Sequence, residues 1–244
     1  MGAVHVRRGS GCGEASGAYR RAMPESAELP EEIRPHFERA ALVTVDVQRD
    51  VLDGGALEVA GTTAALGAMV ELARTFRSAG RPIVHVVRLY VADGSNADLS
   101  RRRMVRSSGP VLRPGTSGCQ LAPGLAPEGA AGLDDALLLA GGLQTIGRDE
   151  VAVYKPRWGA FYETGLETHL RGEDVDTLVL CGANFPNCPR ATAYEASERD
   201  FRVVVAEDAV SGLYDRAIAE LRGAGIVVAP TAAVVAGLGA RRPL

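Results

Sequence analysis

Lysine is almost missing from this chain: of the 27 basic side chains in 244 residues, every one but Lys155 is an arginine. Arginine serves equally well as a surface charge, so the survivor invites a chemical explanation. What arginine cannot supply is a compact three-donor ammonium whose pKa responds to its surroundings. Chance survival of a lysine codon is the competing reading, and on this fact alone both stand.

Histidine and cysteine are scarce too, four of each. His5, His36, His85 and His169 form no short-spaced set with Cys12, Cys119, Cys181 and Cys188, which argues against a tetrahedral metal cage or a disulfide framework. No metal and no cofactor is expected. No apolar run approaches the roughly 18 residues of a membrane span, and the amino terminus lacks the apolar stretch of a secretory signal. A cytoplasmic location, reduced cysteines and no membrane partner are therefore expected. The net charge of -3 gives no reason to expect a polyanion. The cluster Arg101-Arg102-Arg103 reads as a solvated helix face and not as a nucleic-acid patch. A small-molecule substrate is the partner that remains.

What is present is a chain 46% hydrophobic and 23% charged, enough for one sizeable core. Residues 1–40 are rich in Gly, Ser, Arg and Glu without sustained periodicity, apart from a hint of a short helix at Ile33, His36 and Phe37. They read as an arm that packs on the domain or on a partner subunit. The run Gly9-Ser10-Gly11-Cys12-Gly13 follows no strand, and Glu14 stands where a dinucleotide fingerprint needs its third glycine.

Residues 41–244 read as the folded domain. Short apolar runs alternate with helical periods, the pattern of a parallel sheet with helices on both faces. Strands are expected at Ala41 to Val45, Ile83 to Leu89, Val151 to Tyr154, Thr177 to Leu180, Arg202 to Ala206 and Ile226 to Val228. Helices are expected at Thr62 to Ala79, Thr164 to Arg171, Pro189 to Glu198 and Leu213 to Arg222. The glycine- and proline-rich segment from Tyr90 to Leu143 reads as loops with short helices around Arg101 and Asp134, the kind of insertion that shapes binding sites. The fold class is α/β: a three-layer domain around a six-stranded, mostly parallel sheet.

Ligands of open α/β sheets bind at the carboxyl ends of the strands. Three polar residues of different kinds stand there. Asp46 ends the first strand, Lys155 ends the third, and Cys188 opens the helix after the fourth. A thiol, an acid and an ammonium on one sheet edge make a nucleophile with a base and an electrostatic partner. Pro189 starts the helix and puts the sulfur at its positive end, which is expected to favour the thiolate. Cys181, inside its strand, reads instead as a small buried hydrophobe. By position alone Asp46 also suits a structural carboxylate that satisfies loop amides.

Asp46-Val47-Gln48, then Lys155 with Trp158-Gly159-Ala160-Phe161, then Gly182 to Ala193 around Cys188, resemble in order and spacing the isochorismatase-like cysteine hydrolases, a group that includes nicotinamidases and N-carbamoylsarcosine amidases. Glu207-Asp208-Ala209 fits the same pattern, and the match spans about residues 41 to 235. The resemblance implies Cys188 as nucleophile, Asp46 as general base and later acid, and Lys155 as third member of a triad. It further implies a cis peptide between Ala183 and Asn184, an oxyanion hole from the backbone NH groups of Asn184 and Cys188, and a homodimer or homotetramer. Phe185-Pro186 departs from the Thr-Asp type of sequence commoner there.

The implied reaction is cleavage of a C–N bond in a small amide, carbamoyl or lactam substrate through a thioester. The stretch Arg88-Leu89-Tyr90-Val91-Ala92-Asp93 lacks the Asp-x-His metal site of the nicotinamidases, which points to the non-metal branch. Two alternatives remain: a vinyl ether hydrolase, for which a thiol is not needed, and an inactive α/β binding or assembly module with a redox-sensitive cysteine. Gln48, Arg88, Trp158, Phe161 and Tyr162 are candidate substrate contacts. Trp158 suits a stacking platform or an ordinary core role; Arg88 suits a bidentate grip on a carboxylate or a structural ion pair. Tyr90, Asn96, Arg101 and the Pro114-Gly115-Thr116 loop are candidates for the entrance.

Overall fold

The computed structural model describes residues 29–239. The Gly9 to Gly13 run and most of the expected arm lie outside these residues. The end of the arm is a 3-10 turn at Phe37–Arg39, tied down where His36 Nδ1 meets Asp176 Oδ2 at 2.8 Å.

The chain then runs β1 (Ala40–Val45), α1 (Thr62–Ser78), β2 (Ile83–Val87), α2 (Arg102–Ser107), α3 (Asp135–Leu139), β3 (Leu143–Gly147) and β4 (Glu150–Tyr154). It continues with α4 (Leu166–Gly172), β5 (Thr177–Gly182), α5 (Cys188–Ser197), β6 (Arg202–Val210), α6 (Asp215–Gly223), β7 (Val227–Ala229) and α7 (Thr231–Gly239). The sheet order is β3-β4-β2-β1-β5-β6-β7. Every pairing is parallel except β3 with β4.

Every residue of β1, β2 and β5 is buried, as expected of strands covered on both faces. α1 packs with α7 over one face, whereas α5 packs on β5 and β6. Parallel crossovers are right-handed, and β1→β2 and β5→β6 progress in opposite directions across the sheet, so α1 and α5 cover opposite faces. α1 turns Met69, Leu72, Ala73 and Phe76 inward, while Leu66 and Val70 are only half-buried.

The sheet has seven strands where the sequence predicts six. The addition, β3, is a five-residue antiparallel edge strand with a bulge against β4. Its glycine-bounded sequence, after Gly141-Gly142 and closing on Gly147, carries too few apolar residues to show periodicity. β6 also runs past its expected end to Val210, because a bulge opposite Gly182 lets pairing with β5 resume. There Asp208 Oδ1 accepts from the Thr231 backbone at 2.7 Å and from its hydroxyl at 2.8 Å, capping α7.

The topology brings the chemistry to one place. The chain steps outward from β1 to β2 and β4, then returns to lay β5 on the other side of β1. The β1/β5 boundary is thus a topological switch point, where the loops after neighbouring strands diverge and leave a crevice.

Candidate active site

Asp46 is the first residue past β1 and adopts a left-handed conformation with φ of 56°, uncommon for a residue with a side chain. Its amide is held by Val86 O at 2.9 Å, and its own carbonyl accepts from Gln48 N at 3.0 Å. Lys155 follows β4, its amide bound to Val87 O at 3.1 Å, and its side chain is fully buried. Reaching back past β2, its Nζ meets Asp46 Oδ2 at 2.9 Å and Arg157 O at 3.2 Å. A wholly buried ammonium persists only with such partners.

Across β1, Gly182 ends β5 with φ of +133°. A Cβ there would lie 2.2 Å from Val45 O, so only glycine lets β5 approach the residue preceding Asp46 this closely. The Ala183–Asn184 peptide is cis. Cys188 is the first residue of α5 and Pro189 the second. Flanking amides are spent: Ala183 N on Val45 O at 2.9 Å, Phe185 N on Ser211 O at 2.8 Å and Asn187 N on Asn184 O at 3.0 Å. Those of Asn184 and Cys188 have no such acceptor among the described residues; the latter is a helix-start amide with no intrahelical partner.

Asp46, Asn184 and Cys188 line one cavity of about 30 Å³ together with Arg88, Tyr90 and Arg101. Leu57, Val59 and Leu112 supply apolar wall. Burial and the Asp46 carboxylate push the Cys188 thiol above its ordinary pKa of 9.0, against the opposing pull of Lys155 and Arg88. This corrects the expectation of a favoured thiolate. The helix start does pull downward, but a sulfur this buried loses more solvation than that gain restores. The resting pair is a thiol beside a carboxylate whose Oδ1 has no hydrogen-bond partner. Cys181 is wholly buried, and burial alone pushes its thiol up to about 12, in keeping with a role in packing.

Several of the expected substrate contacts sit elsewhere. Gln48 is fully buried and its amide clamps backbone: Nε2 donates to Arg88 O at 2.9 Å and Cys119 O at 2.6 Å, while Oε1 accepts from Arg88 N at 2.9 Å. Trp158 is half-buried against the core and bears the Arg101 guanidinium 4.6 Å from its ring centroid. Phe161 is buried against Phe201, ring centroids 5.8 Å apart, and Tyr162 is 45% exposed. None of these four lines the cavity; Arg88 does.

The Trp158 to Phe161 stretch instead fastens the loop after Lys155 to the helix that begins with Cys188. Phe161 N donates to Glu195 Oε2 at 2.9 Å and Ala160 N to Thr192 Oγ1 at 3.2 Å. Gly159 makes the approach possible, since a Cβ there would lie 2.1 Å from Glu195. Among the entrance candidates, Tyr90 and Arg101 line the cavity, whereas Asn96 binds Val91 N, Leu89 O and Tyr154 Oη.

Three contributors gave no sequence signal. The Arg157 carbonyl holds both Lys155 Nζ and, at 2.6 Å, Arg88 Nη2. Asp98 lies 3.2 Å from Arg88 Nη2. Asp50 latches the cavity cover: its Oδ2 accepts from Leu112 N at 2.6 Å and its carbonyl from Leu57 N at 2.9 Å. Leu112 is held with φ of 43°. A main-chain oxygen or a loop aspartate looks like any other in a sequence.

No group of three or more His, Cys, Asp or Glu suited to a metal occurs among the described residues, and no described helix is long and apolar enough to cross a membrane. The pattern of the isochorismatase domain matches residues 40–133 and 141–233. A probable inactive nicotinamidase of Arabidopsis thaliana is 28% identical over 179 residues, 72% of this chain and 82% of that protein. Among solved structures, an isochorismatase family protein from Desulfovibrio vulgaris is similar with a TM-score of 0.70 at 32% identity, covering 83% of this chain and 99% of that one. N-carbamoylsarcosine amidase from Thermoplasma acidophilum is similar with a TM-score of 0.62 at 25% identity, covering 79% and 96%. With the domain pattern spanning most of the chain and a three-layer fold to match, this protein belongs to the isochorismatase family.

Proposed function

We propose that the protein is a cysteine-dependent hydrolase of a C–N bond in a small amide, carbamoyl or lactam substrate. One observation carries the reading: the Cys188 thiol and the Asp46 carboxylate share a small cavity, with the buried Lys155 ammonium on that carboxylate at 2.9 Å. The solved relative named as an amidase of N-carbamoylsarcosine supports the same chemistry.

Asp46 takes the thiol proton and the thiolate adds to the substrate carbonyl. The backbone NH groups of Asn184 and Cys188 hold the oxyanion, where one donor is typically worth about 3 kcal/mol. The proton on Asp46 passes to the nitrogen, the C–N bond breaks, and the acyl group remains on Cys188 as a thioester. Water then gives a proton to Asp46 and attacks, and the thiolate leaves and recovers that proton. Lys155, 2.9 Å from Asp46 Oδ2, holds that carboxyl group in place as it takes up and gives back the proton. A raised thiol pKa suits this scheme, because the nucleophile is generated by the base after substrate arrives.

Replacing Cys188 with alanine tests the reading. The expected result is loss of amide turnover with an unchanged circular dichroism spectrum; turnover retained by Cys188→Ala rejects covalent catalysis and favours a thiol-independent hydrolase. Wild-type protein that releases no amine from any member of an amide panel and forms no acyl adduct at Cys188 is the outcome expected of a binding module.

A further inference from the structure

Proton transfer from Cys188 to Asp46 takes negative charge off a carboxylate that Lys155 holds at 2.9 Å and puts it on the sulfur. Lys155 sits on the carboxylate, so it favours the starting side of that transfer. A second cation beside the thiolate would offset this. Two cationic side chains line the cavity, Arg88 and Arg101. The Arg101 guanidinium is drawn over Trp158, 4.6 Å from its ring centroid, which leaves Arg88 as the candidate.

Arg88 is the first residue past β2, and its side chain is buried. Its Nη2 is held by Arg157 O at 2.6 Å and lies 3.2 Å from Asp98 Oδ2, whereas its Nη1 is buried without a hydrogen-bond partner. Buried donors of this kind are rare in folded proteins, and each calls for an explanation. Burial works to lower the Arg88 pKa, but Tyr90, Asp46, Cys188 and Asp98 hold it above its ordinary value, so the guanidinium stays charged. Asp98 is buried as well, and neither of its carboxylate oxygens makes a directed hydrogen bond. Arg88 is its ion-pair partner. A buried carboxylate in that position cancels part of the field that the guanidinium sends into the cavity.

We propose that Arg88 is the cation that stabilises the Cys188 thiolate, and that Asp98 is a positioning residue that holds the Arg88 guanidinium at the cavity and attenuates its charge. The inference rests on the reading of Cys188 as nucleophile and deepens it. In the step itself the Cys188 S–H bond breaks, the proton goes to Asp46 Oδ1, the oxygen without a partner, and the electron pair stays on the sulfur. Two ion pairs then divide the work: Lys155 fixes the base, and Arg88 steadies the nucleophile. The other titratable groups at the sulfur are Tyr90, whose phenol burial pushes up to about 12 and so keeps neutral, and Arg101.

The pH dependence of Cys188 alkylation by iodoacetamide tests this. Peptide mass spectrometry separates Cys188 from the other three cysteines, and the midpoint of the rate profile reads the acidity of the thiol. The two variants should move that midpoint in opposite directions. Arg88→Gln removes the cation and is expected to raise it by about one pH unit, a tenfold loss of rate at a fixed pH below the midpoint. Asp98→Asn frees the guanidinium of its counter-charge and is expected to lower the midpoint by a similar amount. A change that merely loosens the cover scales the rate equally at every pH and leaves the midpoint in place, so Asp98→Asn keeps the test open if Arg88→Gln fails to fold. A midpoint that stays put or rises in Asp98→Asn overturns the proposal, as does an unmoved midpoint in folded Arg88→Gln. The nucleophile reading fails separately: shifts of the expected sign in a protein whose Cys188→Ala variant still turns over amide would keep the coupling and reject covalent catalysis.

Discussion

Lys155 and Asp46 meet at 2.9 Å across two strand boundaries, the ammonium fully buried and the carboxylate nearly so. Neither charge has enough water to stand alone, so each is the condition for the other. Removing one partner of such a pair typically costs about 3 to 5 kcal/mol. Lys155→Met should lower unfolding stability by that order and abolish turnover. Lys155→Arg should not restore activity, because a planar fork cannot replace a compact ammonium in a filled site. Urea unfolding and amide turnover check both; a Lys155→Arg protein with wild-type kinetics would remove the electrostatic role assigned here.

Gly182 is the position where backbone fit governs the site most directly. Gly182→Ala places a methyl 2.2 Å from Val45 O at a φ of +133°, and should destabilise the fold by on the order of 3 kcal/mol through overpacking and strain. Chemical denaturation measures it. An unchanged midpoint would mean that β1 and β5 yield at their ends, and that the placing of Asp46 beside the loop to Cys188 does not depend on this approach.

The main elements of this fold were legible because parallel strands buried on both faces are near-continuous apolar runs, and Lys155 stood out because nothing else in the chain is lysine. β3 was hidden by its glycines and its edge position. The substrate contacts were harder still. Gln48 and Phe161 lie within the motifs that carry the family resemblance, yet the structure uses them to brace the loops around the site. Which side of a loop reaches the cavity depends on contacts such as Phe161 N to Glu195, separated by 34 positions, and a single sequence holds no record of them.

Asp50 should act as a latch without touching the chemistry. It holds Leu112 through its carboxylate and Leu57 through its carbonyl. Asp50→Ala removes the first of these bonds and should loosen the apolar wall. Alkylation of Cys188 by a bulky maleimide is expected to accelerate about tenfold in this variant, corresponding to about 1.4 kcal/mol of cover stability. Equal rates in the two proteins would show that Leu112 is held by packing alone.

Acid stability should follow His85 and Glu150. His85 sits between Thr44 Oγ1 at 2.8 Å and Glu150 Oε1 at 2.7 Å, and burial lowers its pKa from 6.5 against the opposing effect of Glu150. Burial of Glu150 works to raise its pKa, but hydrogen bonds from Arg77 and His85 hold it below the ordinary 4.5. For both groups the unfolded chain binds protons that the fold refuses. Stability is therefore complete above the ordinary histidine value of 6.5. It declines as pH falls below that, and declines again as Glu150 is protonated below 4.5. Urea midpoints measured down from about pH 7.5 should fall, with the first part of the fall absent in His85→Gln; a midpoint flat to about pH 5 contradicts the assignment.

The central claim is that the Cys188 sulfur carries the acyl group between C–N cleavage and hydrolysis. Rapid acid quench of wild-type protein with a turned-over amide, followed by peptide mass spectrometry, tests it most directly. The prediction is an acyl mass on the Cys188 peptide that rises before the steady state, accompanied by a burst of one amine per site. Steady turnover with no adduct on Cys188 and no burst, in a protein whose Cys188→Ala variant remains active, would contradict it.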